Sequence, residues 1–538
     1  RQGGNAIDAA VAVGYAEAVV NPCCGNIGGG GFLTAHLADG RDIFLNFRET
    51  APAAANRDMY LDASGQPVHG ASLFGWKAAA VPGSVLGLDT ALTKYGTMPR
   101  AVVMAPAIRL SRDGFVLTSA DADILARGAP LLRRNPAAAR IFLRLDGWPF
   151  PPGERLVQSE LAATLQAVAD QGPDAFYKGR IPEEIEAASR AGGGMLTAAD
   201  FAAYRVAEAP PLACSYRGYV ILSAPPPSSG GATICETLNI LEGYDLRGMG
   251  FHAAEAVHDM VEALRLAFFD RSTYLGDPAF IDAPLSRLLS KDYAARLRGV
   301  VEDRATTSAS LGPPAPRPGE GAETTHFSVI DKDGDAVAVT TTINGGFGSG
   351  VIAGDTGFLI NDEMDDFTIK ANVPNQFSLT QGEANAIAPG KRPLSSMAPT
   401  IVLRGGKVEM VLGSPGGPRI ITATLETILN VIDYDMNAQE AVSAPRLHHQ
   451  WLPDVLYAEP FALSADTEAV LARMGYHIQQ QRPWGAVELI ASGSLGGPHS
   501  AEAPADSVTG HPAGQAVFFG ANDPRRPGGA ALAPQIAR

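Results

Sequence analysis

The stretch "PRPGEGAETTHFSVIDKDGDAVAVTTTINGGFGSG" (residues 316–350) decides how this chain is read. It opens as a Pro/Gly-rich leader and turns abruptly into two β-rich runs, "THFSVID" (325–331) and "AVAVTTT" (336–342). Asp333-Gly334 between them is a tight-turn signal, so the runs form a hairpin. With Asp333 and Gly334 as a two-residue loop, Lys332 faces Asp335 and Thr324 falls opposite Ile343, flanked by Thr342 and Asn344. A hydroxyl at neutral pH is a weak nucleophile and needs a base. Scission of the peptide bond before Thr324 would give that residue a free α-amino group, whose ordinary pKa of about 8 suits it to accept a proton. One residue would then hold nucleophile and base. On spacing alone the plainer reading is preferred: a linker between domains, with Thr324 an ordinary strand residue.

Around this stretch the organisation is mixed α/β. "NAIDAAVAVGYAEAVV" (5–20) is apolar almost all round and predicts a buried helix. "AAEAVHDMVEALRLAFFDRS" (253–272) and "TEAVLARMGY" (467–476) carry apolar residues at helical spacing, with Gly475 as a stop. "EEIEAASRAGGG" (183–194) predicts a surface helix ending in glycines. Residues 306–323 lack aromatic residues and periodicity, and predict a solvated, mobile segment. A second such stretch, 491–514, separates the strand-like "AVELI" and "QAVFFG".

The chain has 538 residues, 46% apolar and 18% charged, which is a globular composition. A net charge of −15 argues against nucleic acid or an anionic membrane as the main partner. No apolar run approaches the roughly 18 residues that span a bilayer. No targeting segment is visible, which leaves export open. The cysteines Cys23, Cys24, Cys214 and Cys235 are too few for a disulfide scaffold and form no CxxC pair, so they are expected as buried small side chains. His448 and His449 are adjacent, poor spacing for two metal ligands on one helix face, and are expected to pack or hydrogen-bond. His326 is expected in the core. Neither "GNIGGGGF" nor "GGFGSG" fits a dinucleotide loop.

Taken together, "GGNAIDAAVAVGYAEAVVNPCCGNIGGGGF", "FRETAPAAANRDMY", "PPPSSGG", "DRSTYLGDP", "TTHFSVIDKDG", "NDEMDDF", "KRPLSSMAPT", "GSPGGPRI", "LHHQWLPD" and "GANDPR" resemble, in order and over nearly the whole chain, the γ-glutamyltranspeptidase or glutathione hydrolase family. The resemblance implies an α+β fold: the four-layer αββα sandwich of N-terminal nucleophile hydrolases. It implies a precursor that cuts itself before Thr324 into a large subunit (1–323) and a small subunit (324–538), a heterodimer from one chain. Thr324 is then nucleophile and base, and Thr342 bonds its hydroxyl. Gly416 and Gly417 present backbone N–H groups to the oxyanion. Arg48, Ser395 and Ser396 bind the substrate α-carboxylate, while Asn344, Glu363 and Asp366 receive its α-ammonium. By themselves those acids would also suit a metal site or a solvated turn.

The implied reaction transfers the γ-glutamyl group of glutathione or another γ-glutamyl amide to water, an amino acid or a peptide through a Thr324 ester. No cofactor or metal is implied, and the family points to the periplasm or the exterior. A cephalosporin (glutaryl) acylase with the same machinery, or an unprocessed inactive homologue, are the alternatives. Two departures stand out: Phe377 sits where some bacterial members carry a lid tyrosine, which would loosen the gate, and 491–514 is longer than the usual hairpin.

Overall fold

The computed structural model describes residues 3–312, 324–493, 517–526 and 528–533. Two antiparallel sheets make its centre. The first has five strands in the order Ala207–Ala209, Asp42–Asn46, Gly30–His36, Ala336–Thr342, Thr325–Ile330. The second has six, in the order Phe518–Ala521, Leu489–Ser492, Lys407–Leu412, Thr400–Arg404, Tyr219–Ser223, Leu212–Tyr216. Both sheets draw strands from either side of Thr324, so the two segments are interleaved rather than set side by side.

Alternation along the strands builds the layers. In Ala336–Thr342, Val337 and Val339 join the core under the helices Ala6–Val20, Ser84–Tyr95, Arg100–Asp113 and Ser159–Gln171. Ala336 and Ala338 point the other way and pack with Leu222, Ile401, Leu403 and Val411 of the second sheet. The outer face of that sheet is covered by Gly230–Leu241, Ala254–Tyr274 and Arg419–Ile432. The result is the expected αββα sandwich. Small residues on the inner faces let the sheets approach closely: Gly413 passes directly against the ring of His326. That histidine is 6% exposed, bonds Thr340 Oγ and Ser328 Oγ, and is pushed down to about 3 by burial. It is a neutral core residue.

The predicted helices are present as Ala6–Val20, Arg180–Ala191, Ala254–Tyr274 and Ala465–Met474, the last closed by Gly475 in the left-handed region. His448 and His449 are buried and hydrogen-bonded, His448 to Thr422 and Gln450 and His449 to Asp454 and the Trp451 amide.

Three expectations need correction. The hairpin register is shifted by one residue: Thr325 pairs with Thr341 and Ile330 with Ala336. The loop has three residues because the Asp331 carboxylate accepts the N–H groups of Asp333, Gly334 and Asp335, with Gly334 at φ +97°. Asp331, not Lys332, therefore faces Asp335. The cysteines are paired, Cys23 with Cys24 and Cys214 with Cys235. Finally, 306–312 is anchored rather than loose. Ser308 is fully buried, its hydroxyl donates to the Trp451 carbonyl, and the Trp451 indole donates to its own carbonyl. Residues 313–323 and 494–516 lie outside the described residues, and with them most of the stretches read as leader and insertion.

Candidate active site

Thr324 is placed by the hairpin. Continuing the register one residue beyond Thr325–Thr341 sets it opposite Thr342, and the two hydroxyl oxygens are 3.5 Å apart. The neighbour inferred from the sequence is thus correct, by a more direct pairing than expected. Thr342 Oγ also accepts the Asn344 N–H at 2.9 Å, which ties the two pocket residues together. Asn344 holds φ +75°, a conformation asparagine tolerates better than most residues. Its side chain donates to the Asp362 carbonyl. Arg526 donates to the Thr324 carbonyl at 3.1 Å, fixing the start of the strand from the chain's far end.

One pocket gathers Arg48, Thr324, Thr342, Asn344, Glu363, Asp366, Ser395, Ser396 and Gly417. Gly416 adjoins it through Gly417. Residues separated by more than 300 positions in sequence therefore meet at one point. Phe377, Leu379, Met397 and Ile420 supply its apolar wall.

The charged half of the pocket differs from two independent subsites. Arg48 is fully buried and its guanidinium is already engaged by protein carboxylates: it donates to Glu363 Oε1, to Asp366 Oδ2 at 2.5 Å and to Glu49 Oε2 at 3.4 Å. Burial works against its charge, but Glu363, Glu49 and Asp366 outweigh that and raise its pKa. On the acids burial dominates. Glu363 and Asp366 are raised despite Arg48, and Glu49 is pushed up to about 7. Three buried carboxylates share the Arg48 guanidinium, and burial raises all three against its pull. Arg48, assigned to carboxylate recognition, and Glu363 and Asp366, assigned to ammonium recognition, are one ion-paired network. Arg48 stands at its centre, in contact with all three acids.

The neighbouring aspartates have other work. Asp365 accepts from Ser72 Oγ at 2.6 Å and from the Gln376 N–H at 3.0 Å, anchoring the loop that carries Phe377. Asp366 is the one that lines the pocket, as expected. Asn375 bonds Asp366 through Nδ2 and receives the N–H groups of Phe377 and Leu379, so this loop is tied to the charged cluster without a ring hydroxyl.

Ser395 and Ser396 are held by "PPPSSGG". Ser228 Oγ donates to the Met397 carbonyl, and the Ser229 N–H and Oγ both donate to the Ser395 carbonyl. Ser395 Oγ accepts the Met397 N–H at 3.1 Å, leaving its hydrogen for the pocket. Gly417 has φ +57°, and a Cβ there would come within 2.9 Å of the Phe377 ring. Only glycine fits both the conformation and the space.

Sequence reading missed Glu49 and Arg271. Both lie within quoted motifs, "FRETAP" and "DRSTYLGDP", but nothing in their spacing assigns them a role. Complete burial of a charge is the signal, and only the folded chain shows it.

Two antiparallel sheets packed face to face between helices, with a threonine at the head of an edge strand and at the rim of the pocket, are the architecture of the N-terminal nucleophile hydrolases. The profile of the gamma-glutamyltranspeptidase family matches residues 1–532. Over 533 residues the chain is 52% identical to a glutathione hydrolase proenzyme of Pseudomonas sp. (strain A14), covering 99% of this chain and 91% of that protein. It is 47% identical over 506 residues to the glutathione hydrolase proenzyme of Escherichia coli (strain K12), covering 94% and 87%. Among solved structures, a cephalosporin acylase from Bacillus halodurans matches with a TM-score of 0.82 at 26% identity, over 97% of this chain and 90% of that chain. The chain belongs to the gamma-glutamyltranspeptidase family.

Proposed function

We propose that this chain is a self-processing γ-glutamyl acyltransferase and hydrolase. The bond before Thr324 is cut, giving subunits 1–323 and 324–538 that stay together as a heterodimer. The freed α-amine of Thr324 takes the hydroxyl proton, and Oγ attacks the γ-carbonyl of glutathione or another γ-glutamyl amide. The oxyanion accepts from the backbone N–H groups of Gly416 and Gly417. The tetrahedral adduct collapses to a Thr324 ester and expels the amine, which leaves with the proton. Water then hydrolyses the ester, or an amino acid or dipeptide amine accepts the acyl group. Thr342 donates to Thr324 Oγ and keeps it aimed.

One observation carries the choice of donor: the pocket holding Thr324 presents charges of both signs, Arg48 with Glu363 and Asp366. A γ-glutamyl donor is a zwitterion at this end and can exchange with both halves of that network. A glutaryl chain brings only a carboxylate and leaves the acids without a cation of its own. Comparing nitroaniline release from γ-glutamyl and glutaryl anilides tests the reading: preference for γ-glutamyl supports it, and preference for glutaryl makes the protein an acylase. A denaturing gel that shows one full-length band, in protein without γ-glutamyl or glutaryl activity, would favour the unprocessed inactive homologue. The two disulfides support an oxidising compartment, the periplasm or the exterior.

A further inference from the structure

Arg271, in the last turn of the helix Ala254–Tyr274, is 1% exposed and does not line the pocket. Its Nε donates to Ser229 Oγ at 2.8 Å, Nη1 to Gln381 Oε1 at 3.4 Å and Nη2 to Ser396 Oγ at 3.4 Å. Its hydrogen-bond partners are thus two hydroxyls and one amide, without a carboxylate. The other deeply buried arginines are handled differently: Arg48 pairs with Glu363 and Asp366, Arg265 with Glu262 and Asp454, and Arg446 with Asp523. A buried cation held by neutral groups alone is an expensive arrangement. Burial draws Arg271 down to about 10, opposed by the field of Asp366.

The three contacts lead to the substrate groups. Ser396 Oγ accepts from Arg271, so its hydrogen is turned away from the guanidinium and is available to a ligand in the pocket. Ser229, gripped by Nε, donates through both N and Oγ to the Ser395 carbonyl and so sets the second serine. Gln381, gripped by Nη1, passes its Nε2 to the Asp366 carbonyl at 3.0 Å. Arg48 already spends its guanidinium on three protein acids, whereas Arg271 carries a charge that no carboxylate contact offsets.

Resting on the γ-glutamyl reading above, we infer that Arg271 is a positioning residue for the donor's α-carboxylate. It orients the Ser396 and Ser395 hydroxyls as donors and supplies the positive field that an arriving carboxylate neutralises. The residue touches no reacting atom. It acts on how tightly a carboxylate-bearing donor is held.

The test compares two donors that differ only in that group, γ-glutamyl-4-nitroanilide and 4-aminobutanoyl-4-nitroanilide, on mature wild type, Arg271→Met and Arg271→Lys. In Arg271→Met, kcat/KM for the γ-glutamyl donor should fall by roughly tenfold or more, mainly through KM, while the decarboxylated donor changes by less than about threefold. Arg271→Lys keeps the charge and should recover part of the discrimination. It cannot span Ser229, Gln381 and Ser396 together, so the ratio between donors narrows there too. That makes the lysine variant a sufficient test if the methionine variant does not fold. An equal loss for both donors in either folded variant makes Arg271 a scaffold residue and overturns the inference. A wild type that already fails to prefer the γ-glutamyl donor over the decarboxylated one overturns the functional reading itself, before any variant is measured.

Discussion

Replacing Glu49 with glutamine should abolish a pH-dependent loss of stability. Glu49 is fully buried beside Arg48, and its carboxyl group packs against Gly30 so closely that a Cβ there would stand 2.7 Å away. Burial, only partly offset by Arg48, lifts it from the ordinary 4.5 to about 7. A carboxyl raised on folding holds its proton more tightly in the folded state. Its contribution is therefore complete below about pH 4.5 and is lost as pH rises through about 7. At about 1.4 kcal/mol per factor of ten, the rise corresponds to about 3 kcal/mol. Glutamine has the shape of the protonated acid and cannot ionise. Urea unfolding of the mature protein at about pH 5 and about pH 8.5 should show a difference between wild type and Glu49→Gln of less than about 1 kcal/mol at the lower pH. At the higher pH the variant should be more stable by up to about 3 kcal/mol, with unchanged m. Identical pH dependence in the two proteins would mean that Glu49 is ionised throughout and that the buried cluster carries its proton elsewhere or not at all.

Removing the Arg48 side chain leaves Glu49, Glu363 and Asp366 without their shared cation. Arg48→Ala should raise the donor KM by roughly tenfold or more while the gel still shows two fragments. An unchanged KM removes Arg48 from donor binding. Gly417→Ala forces a side chain into the left-handed region at φ +57° and into Phe377, about 1–2 kcal/mol of backbone strain. Because the same peptide is assigned to the oxyanion, kcat should drop by roughly a hundredfold, and a fall in KM alone would contradict that assignment. Replacing Cys214 and Cys235 with alanine opens a cross-link between residues 21 apart, away from the pocket. It should lower stability by about 3 kcal/mol and leave kcat/KM unchanged, as measured by urea unfolding and steady-state kinetics.

Much of this was legible before the fold. The hairpin, the helices and the meeting of Thr324 with Thr342 follow from local patterning and one turn. The one-residue error in register arose because "DKDGD" fits either a two- or a three-residue loop, and the choice falls to Asp331, whose carboxylate collects three N–H groups of the turn. The anchoring of 306–312 depends on Ser308 meeting Trp451, 143 residues away, while its composition signals only a loop. The sequence also could not show that the two substrate half-sites are one network. Arg48 lies 315 residues from Glu363 and 318 from Asp366, and motif matching assigns each residue a ligand without asking what it touches in the folded protein. Arg271 sits inside a helix whose visible signal is apolar periodicity. Its charge becomes informative only when its burial and its neutral partners are known together.

N-terminal sequencing of every polypeptide in catalytically active protein tests self-cleavage before Thr324 most directly. The smaller polypeptide is expected to start Thr-Thr-His-Phe, with Thr324 first. Full activity in a preparation whose chain is intact across that position, or whose smaller fragment begins elsewhere, would contradict it.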